Sequence, residues 1–245
     1  MICTAKPVGK YTHMNAKRGY VPEDDRNFSP EAMEMMRKAS GNIIYLINEG
    51  YDLKQSSTFV GNHFLLSERQ RLAIMRSIAI KGQLEARNVK KIPLEQLIGK
   101  EVWIDGFNTI ITMEAMLNRS ILLKGMDGCI RDLAALRGTY RLIPETSEAI
   151  RIILSVLQEA GVKKANILLD QPVSNSGRLK ALTADIGEAY APELDIQILR
   201  DVDRSLYEKE NVITSDSVIL DHCKSWVNLA AECLRKTGAE YFQVW

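Results

Sequence analysis

The chain has 245 residues, 46% of them hydrophobic and 26% charged, with a formal net charge of +1. This composition sustains a globular core and excludes a disordered chain. No apolar run approaches the roughly 18–20 residues needed to cross a bilayer, and the first residues lack the apolar segment of a secretory signal, so the expectation is a soluble, cytoplasmic protein without a membrane partner.

The charge is unevenly spread. Residues 1–98 carry 15 Lys and Arg against 10 Asp and Glu, and residues 99–245 carry 17 against 21. A basic front half and an acidic back half suggest an electrostatic grip ahead of a cation-binding site. The cysteines (Cys3, Cys129, Cys223, Cys233) show neither C-x-x-C pairing nor zinc spacing with the three histidines.

The first twenty residues are polar and read as loosely ordered. Ser29 and Pro30 are an N-cap and first-turn pair, so a helix is expected over 29–49, stopped by Gly50. Residues 51–66 are mixed, with a turn at Gly61. Ser67 and Gln70 form a capping box that opens one long helix to about residue 87. Arg69, Arg71, Arg76, Lys81 and Arg87 make that helix cationic and a candidate nucleic-acid contact. Pro93 and Gly99 bracket a linker, dividing a mainly helical domain, 1–98, from a second domain, 99–245.

Beyond residue 100 strands alternate with helices. Strands are expected near 101–104, 165–169, 195–199 and 211–213. Helices are expected near 128–137, 145–160, 176–190, 202–208, 217–223 and 229–236. Alternation at this spacing implies α/β architecture, a parallel sheet flanked by helices.

In such sheets ligands gather beyond the carboxyl ends of the strands. Asp105 and Asp170 each follow a strand directly, Asp216 follows one by a short gap, and Asp201 and Asp203 lie just past another. Two carboxylates about 5 Å apart repel by roughly 3 kcal/mol at an effective dielectric near 20. Gathering several therefore calls for a counter-charge, and hard divalent cations, Mg²⁺ or Mn²⁺, suit oxygen ligands. Each aspartate also has a plain reading as a helix cap or turn residue. Gly106 and Asn108 single out Asp105, because Gly permits close backbone approach and Asn can orient a carboxylate or water. No H-E-x-x-H, G-x-S-x-G or G-x-x-x-x-G-K motif is present, which argues against zinc-protease, serine-hydrolase or Walker-type chemistry.

Ile104-Asp105-Gly106-Phe107-Asn108 resembles the first motif of PIN-like nucleases, and Val212-Ile213-Thr214-Ser215-Asp216 resembles their later Thr-x-Asp motif. The front half, with Arg18-Gly-Tyr-Val-Pro and Val60-Gly-Asn-His-Phe-Leu-Leu-Ser-Glu-Arg-Gln-Arg71, is similar to the largely archaeal family called domain of unknown function 434. The PIN resemblance implies a Rossmann-like sandwich and a Mg²⁺- or Mn²⁺-dependent phosphodiesterase acting on RNA. Asp105 and Asp216 would be metal ligands, Asp203 (or Asp201) the intermediate acid, and Asp132 an acid supplied from a helix. Asn108 and Ser215 would support them, and Asp170 would join the metal set from its place on the rim. Arg204 departs from the motif and stands where it can pair with an acid. A homodimer is a further implication. The alternative readings are a silent PIN-like module that binds nucleic acid or protein, and a phosphohydrolase of small phosphate esters.

Overall fold

A computed structural model describes residues 17–134 and 138–245. The front of the chain is helical: α1 (Asp24–Asn27), α2 (Pro30–Asn48), α3 (Leu53–His63), α4 (Glu68–Ser77) and α5 (Lys81–Lys90). Ser29 caps α2 by accepting the Ala32 amide, and Gly50 ends it at φ +89°. Residues 51–66 are not a mixed segment. Asp52 caps α3, and Gly61 lies inside that helix against the Arg71 side chain rather than in a turn. The single cationic helix is two helices, because the chain becomes extended at Ile78 (φ −104°, ψ 155°) and restarts at Lys81.

After a short 3₁₀ turn at Leu94–Leu97 come β1 (Glu101–Asp105), α6 (Gly106–Leu117), and a hairpin of β2 (Leu122–Lys124) and β3 (Ile130–Asp132). Then follow α7 (Pro144–Glu159), β4 (Lys164–Asp170), α8 (Ser176–Gly187), β5 (Glu193–Leu199), α9 (Val202–Leu206), β6 (Val212–Ile213), α10 (Ser217–His222), β7 (Trp226–Val227) and α11 (Leu229–Thr237). Five strands pair in the order β5-β4-β1-β6-β7, every pairing parallel.

Further elements depart from expectation, β2 and β7 among them. The segment expected as helix 128–137 holds β3, paired antiparallel with β2; residues 135–137 lie outside the described residues. Helix α6 has no counterpart among the predicted helices. Ten of its twelve residues are buried, so it lacks the polar face that gives a helix its period in sequence.

The period of two along the strands decides what faces the site. Val102, Ile104, Ala165, Ile167, Leu169 and Ile213 pack with α6, α7, α8 and α11. Their neighbours Trp103, Leu168 and Val212 pack with α9 and α10 on the opposite face. By the same alternation Asp105, Asp170 and Thr214 end their strands on the α9/α10 side, where those short helices begin.

The front helices do not close a core of their own. Met36, Ile43, Ile74 and Ile78 share a cluster with Leu123 and Leu133 of the hairpin region and with Val244. Residues 17–20 are also bound rather than loose. Arg18 pairs with the fully buried Glu114 at 2.7 Å, and Ser120 donates to the Arg18 carbonyl at 2.6 Å. The Tyr140 and Thr146 hydroxyls donate to the same Glu114 carboxylate.

At the start of α6, a Cβ on Gly106 would lie 2.7 Å from the Leu168 carbonyl oxygen and 2.6 Å from Leu169 Cδ2. Gly106→Ala should therefore destabilise the protein by roughly 1–3 kcal/mol in urea unfolding. Gly82→Ala, on α5 with open space around it, should instead stabilise by about 0.5–1 kcal/mol. Equal effects from the two substitutions would show that the contact with β4 is not tight.

Candidate acidic site

Asp105 closes β1 and caps α6, accepting the Asn108 amide at 3.4 Å. Its other oxygen accepts the Thr214 hydroxyl at 2.9 Å. The Thr214 oxygen also accepts the Asp216 amide at 3.0 Å, so one hydroxyl ties the end of β1 to the loop after β6. Asn108 completes the tie: its side-chain oxygen accepts the Ser215 amide at 2.8 Å and the Ser215 hydroxyl at 2.9 Å. Asp216 then caps α10, accepting the Val218 and Ile219 amides at 2.8 and 3.3 Å. Asp201 caps α9 through the Arg204 amide and pairs with the Arg204 side chain at 3.5 Å.

Asp105 is only 6% exposed, and among the described residues no cation pairs with it. Burial, with Asp216 and Asp170 nearby, pushes its carboxyl up to about 7. Asp170 is pushed up by burial and then by Asp201, against the backbone hydrogen bond it receives from Val202. Asp203 is pushed up by partial desolvation, then by Asp216, Asp170 and Asp201. Five aspartates thus share one field at the carboxyl edge of the sheet. Among the described residues, however, no three His, Cys, Asp or Glu side chains converge closely enough to hold a metal ion as they stand.

Asp132 does not join them. It lies on β3, not a helix, and its buried carboxylate accepts the Thr112 hydroxyl at 2.8 Å and the Ala134 amide at 2.7 Å. The basic set is mostly internal as well. Arg69 pairs with Asp24 at 2.5 Å and donates to the Leu133 carbonyl, Arg71 donates to the Leu66 carbonyl, and Arg87 is 3% exposed between Asp127 and Asp221. Arg76 is half-buried, and exposed Lys81 stands 3.9 Å from Glu85. A cationic stripe needs its charges in solvent, and here Arg69 and Arg87 neutralise buried acids instead.

The expectations for the site overlooked Thr214, Asp127 and Arg131. Thr214 is legible as a hydroxyl beside a capping Asp, but its bond to Asp105 spans 109 positions and leaves no local trace. Arg131, 4% exposed, donates two bonds to Asp127 and one to the Ser215 carbonyl at 2.7 Å. Burial opposes the charge on Asp127, but the Arg131 guanidinium holds its carboxyl below the usual carboxylate range.

Comparison with known proteins gives the family. Residues 94–232 match the profile described as domain of unknown function DUF5616. The chain belongs to the DUF5616 family. Residues 35–90 of this DUF5616 chain match a second profile, described as protein of unknown function DUF434. The chain is also similar to the uncharacterized protein MJ0935 of Methanocaldococcus jannaschii, 33% identical over 201 residues, which span 81% of this chain and 96% of that protein. No solved structure matches. No helix among the described residues is long and apolar enough to cross a membrane.

The raised Asp105 carboxyl has a defined pH signature. Between its ordinary value of 3.8 and about 7 the folded state binds more protons there than the unfolded state, so this group's contribution to stability falls as pH rises through that window. Asp105→Asn should match the wild type near pH 4 and exceed it above pH 7, in apo protein, by an amount bounded at roughly 4 kcal/mol. Urea unfolding at a series of pH values reads this difference; curves that stay parallel would show that Asp105 is not strained by its surroundings.

Proposed function

We propose that residues 99–245 form a PIN-like domain that hydrolyses an RNA phosphodiester at the carboxyl edge of its sheet with Mg²⁺ or Mn²⁺. The observation that carries this reading is Asp105: a buried carboxylate, facing two other acids, with no arginine or lysine paired with it among the described residues. Three other buried acids of this chain, Asp24, Glu114 and Asp127, each hold an arginine, and a fourth, Asp132, is met by the Thr112 hydroxyl and the Ala134 amide. An acid left without a cation and with two further acids beside it suits a cation supplied from outside.

The donor chemistry fits. Asp105, Asp170, Asp203 and Asp216 offer only hard oxygen ligands, and Asp201 is the alternative to Asp203 but is shared with Arg204. When bound, Mg²⁺ or Mn²⁺ lowers the pKa of water and neutralises charge on a phosphoryl oxygen. The chain's own groups do the rest. Thr214 and Asn108 hold Asp105 and the Ser215–Asp216 turn in fixed relation. Arg178 on the first turn of α8, Arg200 after β5 and Arg204 on α9 are exposed at this edge and offer contacts to a phosphate backbone, a role the front helices were expected to fill.

A second reading, a silent module that binds nucleic acid without cutting it, is favoured by two observations. Among the described residues no three acids stand within ligating reach, and Arg204 pairs with Asp201. One assay separates the readings. Purified protein and Asp105→Asn are incubated with structured and single-stranded RNA, with DNA and with a phosphomonoester, in Mn²⁺ and then in chelator. Cleavage of RNA alone, lost in both controls, is the expected result. RNA retention without cleavage would support the silent module, and turnover of the monoester a small-molecule phosphohydrolase.

Binding has a thermal readout independent of turnover. An ion that binds only the folded state raises stability by about 2.7 kcal/mol at 100 times its Kd. Mn²⁺ should therefore raise the wild-type Tm and leave that of Asp105→Asn unmoved. A rise of equal size in both proteins would place the ion elsewhere.

A further inference from the structure

The acidic edge rests on a chain of buried charges that begins in the front helices. Arg87 of α5 donates to both oxygens of Asp221, at 2.6 and 2.9 Å, and to Asp127 at 2.9 Å. Asp127 also receives two bonds from Arg131, at 2.9 and 2.6 Å. Arg131 spends its third nitrogen, Nε, on the Ser215 carbonyl at 2.7 Å. Lys90, one turn beyond Arg87, donates to the carbonyls of Leu220 and Asp221 at 2.6 and 2.9 Å.

These bonds converge on one short piece of chain. Ser215 stands immediately before Asp216, and Asp221 lies near the end of the helix that Asp216 caps. One arginine holds the front of the segment, the other holds its back, and a single carboxylate, 3% exposed, joins the two arginines. Two arginines and two aspartates cancel in charge, so the assembly is neutral, with only the Asp221 side chain partly in contact with water. Its geometry is demanding: every guanidinium nitrogen that reaches across must find its acceptor, or a buried charge is left uncompensated.

We propose that Arg131, Asp127 and Arg87 are positioning residues for the acidic site, a clamp through which the front helices set the place of Asp216 relative to Asp105. This rests on the metal-dependent reading above for its function, though not for its mechanics. It accounts for two arginines held in the interior, where removal from water is costly unless each donor is used. It also accounts for the contact between α5 and α10, which plain helix packing would satisfy with apolar side chains.

The test uses the full chain and two charge-balanced double variants. Asp127→Asn with Arg131→Gln removes the clamp but leaves Arg87 on Asp221. Asp24→Asn with Arg69→Gln removes a buried pair remote from the site and controls for general destabilisation. Amide hydrogen exchange and Mn²⁺ uptake, the latter read from loss of the free-ion electron paramagnetic resonance signal, are measured on both. The clamp variant should exchange the Val218 and Ile219 amides at least tenfold faster, with α6 unchanged, and bind Mn²⁺ at least tenfold more weakly. The control should lower Tm without either effect.

Arg131→Lys covers the case in which the double variant does not fold. Lysine keeps a cation beside Asp127, but a single ammonium cannot also serve the Ser215 carbonyl as the planar fork does. It should give a smaller loss of the same two kinds. Unchanged exchange and uptake in the clamp variants, or equal changes in the control, overturn the proposal. Wild-type protein that takes up no Mn²⁺ overturns the metal reading and with it the clamp's role there. Exchange tells that outcome from a clamp that fails mechanically.

Discussion

A carboxylate buried at the end of a central strand, with hydroxyl and amide donors but no cation among the described residues, is the constraint around which this fold is arranged. Ionised, Asp105 is opposed by its own burial and by two neighbouring acids. Its position is nevertheless over-determined. The Gly106 backbone sits where a Cβ would strike β4, the Thr214 hydroxyl bonds the carboxylate, and Asn108 fastens the adjoining loop. Unfavourable groups persist only where the surroundings hold them, and such strain gathers at sites of function.

The contrast with the other interior acids sharpens this. Asp24, Glu114 and Asp127 are as deeply buried as Asp105, and each is matched by an arginine that also reaches a backbone carbonyl: Arg69 to Gly19 and Leu133, Arg18 to Arg141, Arg131 to Ser215. The Arg69–Asp24 and Arg18–Glu114 pairs join segments 45 and 96 positions apart, and Arg131, four residues from Asp127, reaches the Ser215 carbonyl 84 positions away. They convert desolvated charge into tertiary cross-links, and breaking one member would cost more than the pair contributes. Arginine thus neutralises three of the interior acids and Asp132 is met by a hydroxyl and an amide, whereas Asp105 has no cation and two further acids beside it.

Much of this was readable beforehand, for identifiable reasons. The ends of β1 and β4 were visible because a short apolar run closes on an aspartate, and Asp216 because Thr and Ser precede it at a capping position. The capping box at Ser67 and Gln70 and the stop at Gly50 are local chemistry and stand as expected. Helix α6 escaped because uniform apolarity carries no period, and β3 because Arg131 and Asp132 interrupt an apolar run with charges that find partners elsewhere. Trp226, without a clear signal in the sequence, is fully buried on β7 and donates its indole N–H to the Arg87 carbonyl. What could not be read is pairing across long separations. Arg87 looks like one more surface cation until Asp127 and Asp221 are seen to flank it.

That last point changes how the two halves relate. A basic front half ahead of an acidic back half suggested a grip and a blade, each separately folded. Instead, arginines from the front half neutralise acids of the back half inside the molecule, and the front core is completed by Leu123, Leu133 and Val244. The charge asymmetry along the sequence is partly a record of internal pairing, and only the remainder reaches solvent. On the proposed reading, a site at the carboxyl edge would draw its phosphate contacts from its own rim, where Arg178, Arg200 and Arg204 lie exposed. The front helices act on that site through the interior, by holding the α10 segment in place, rather than across the surface.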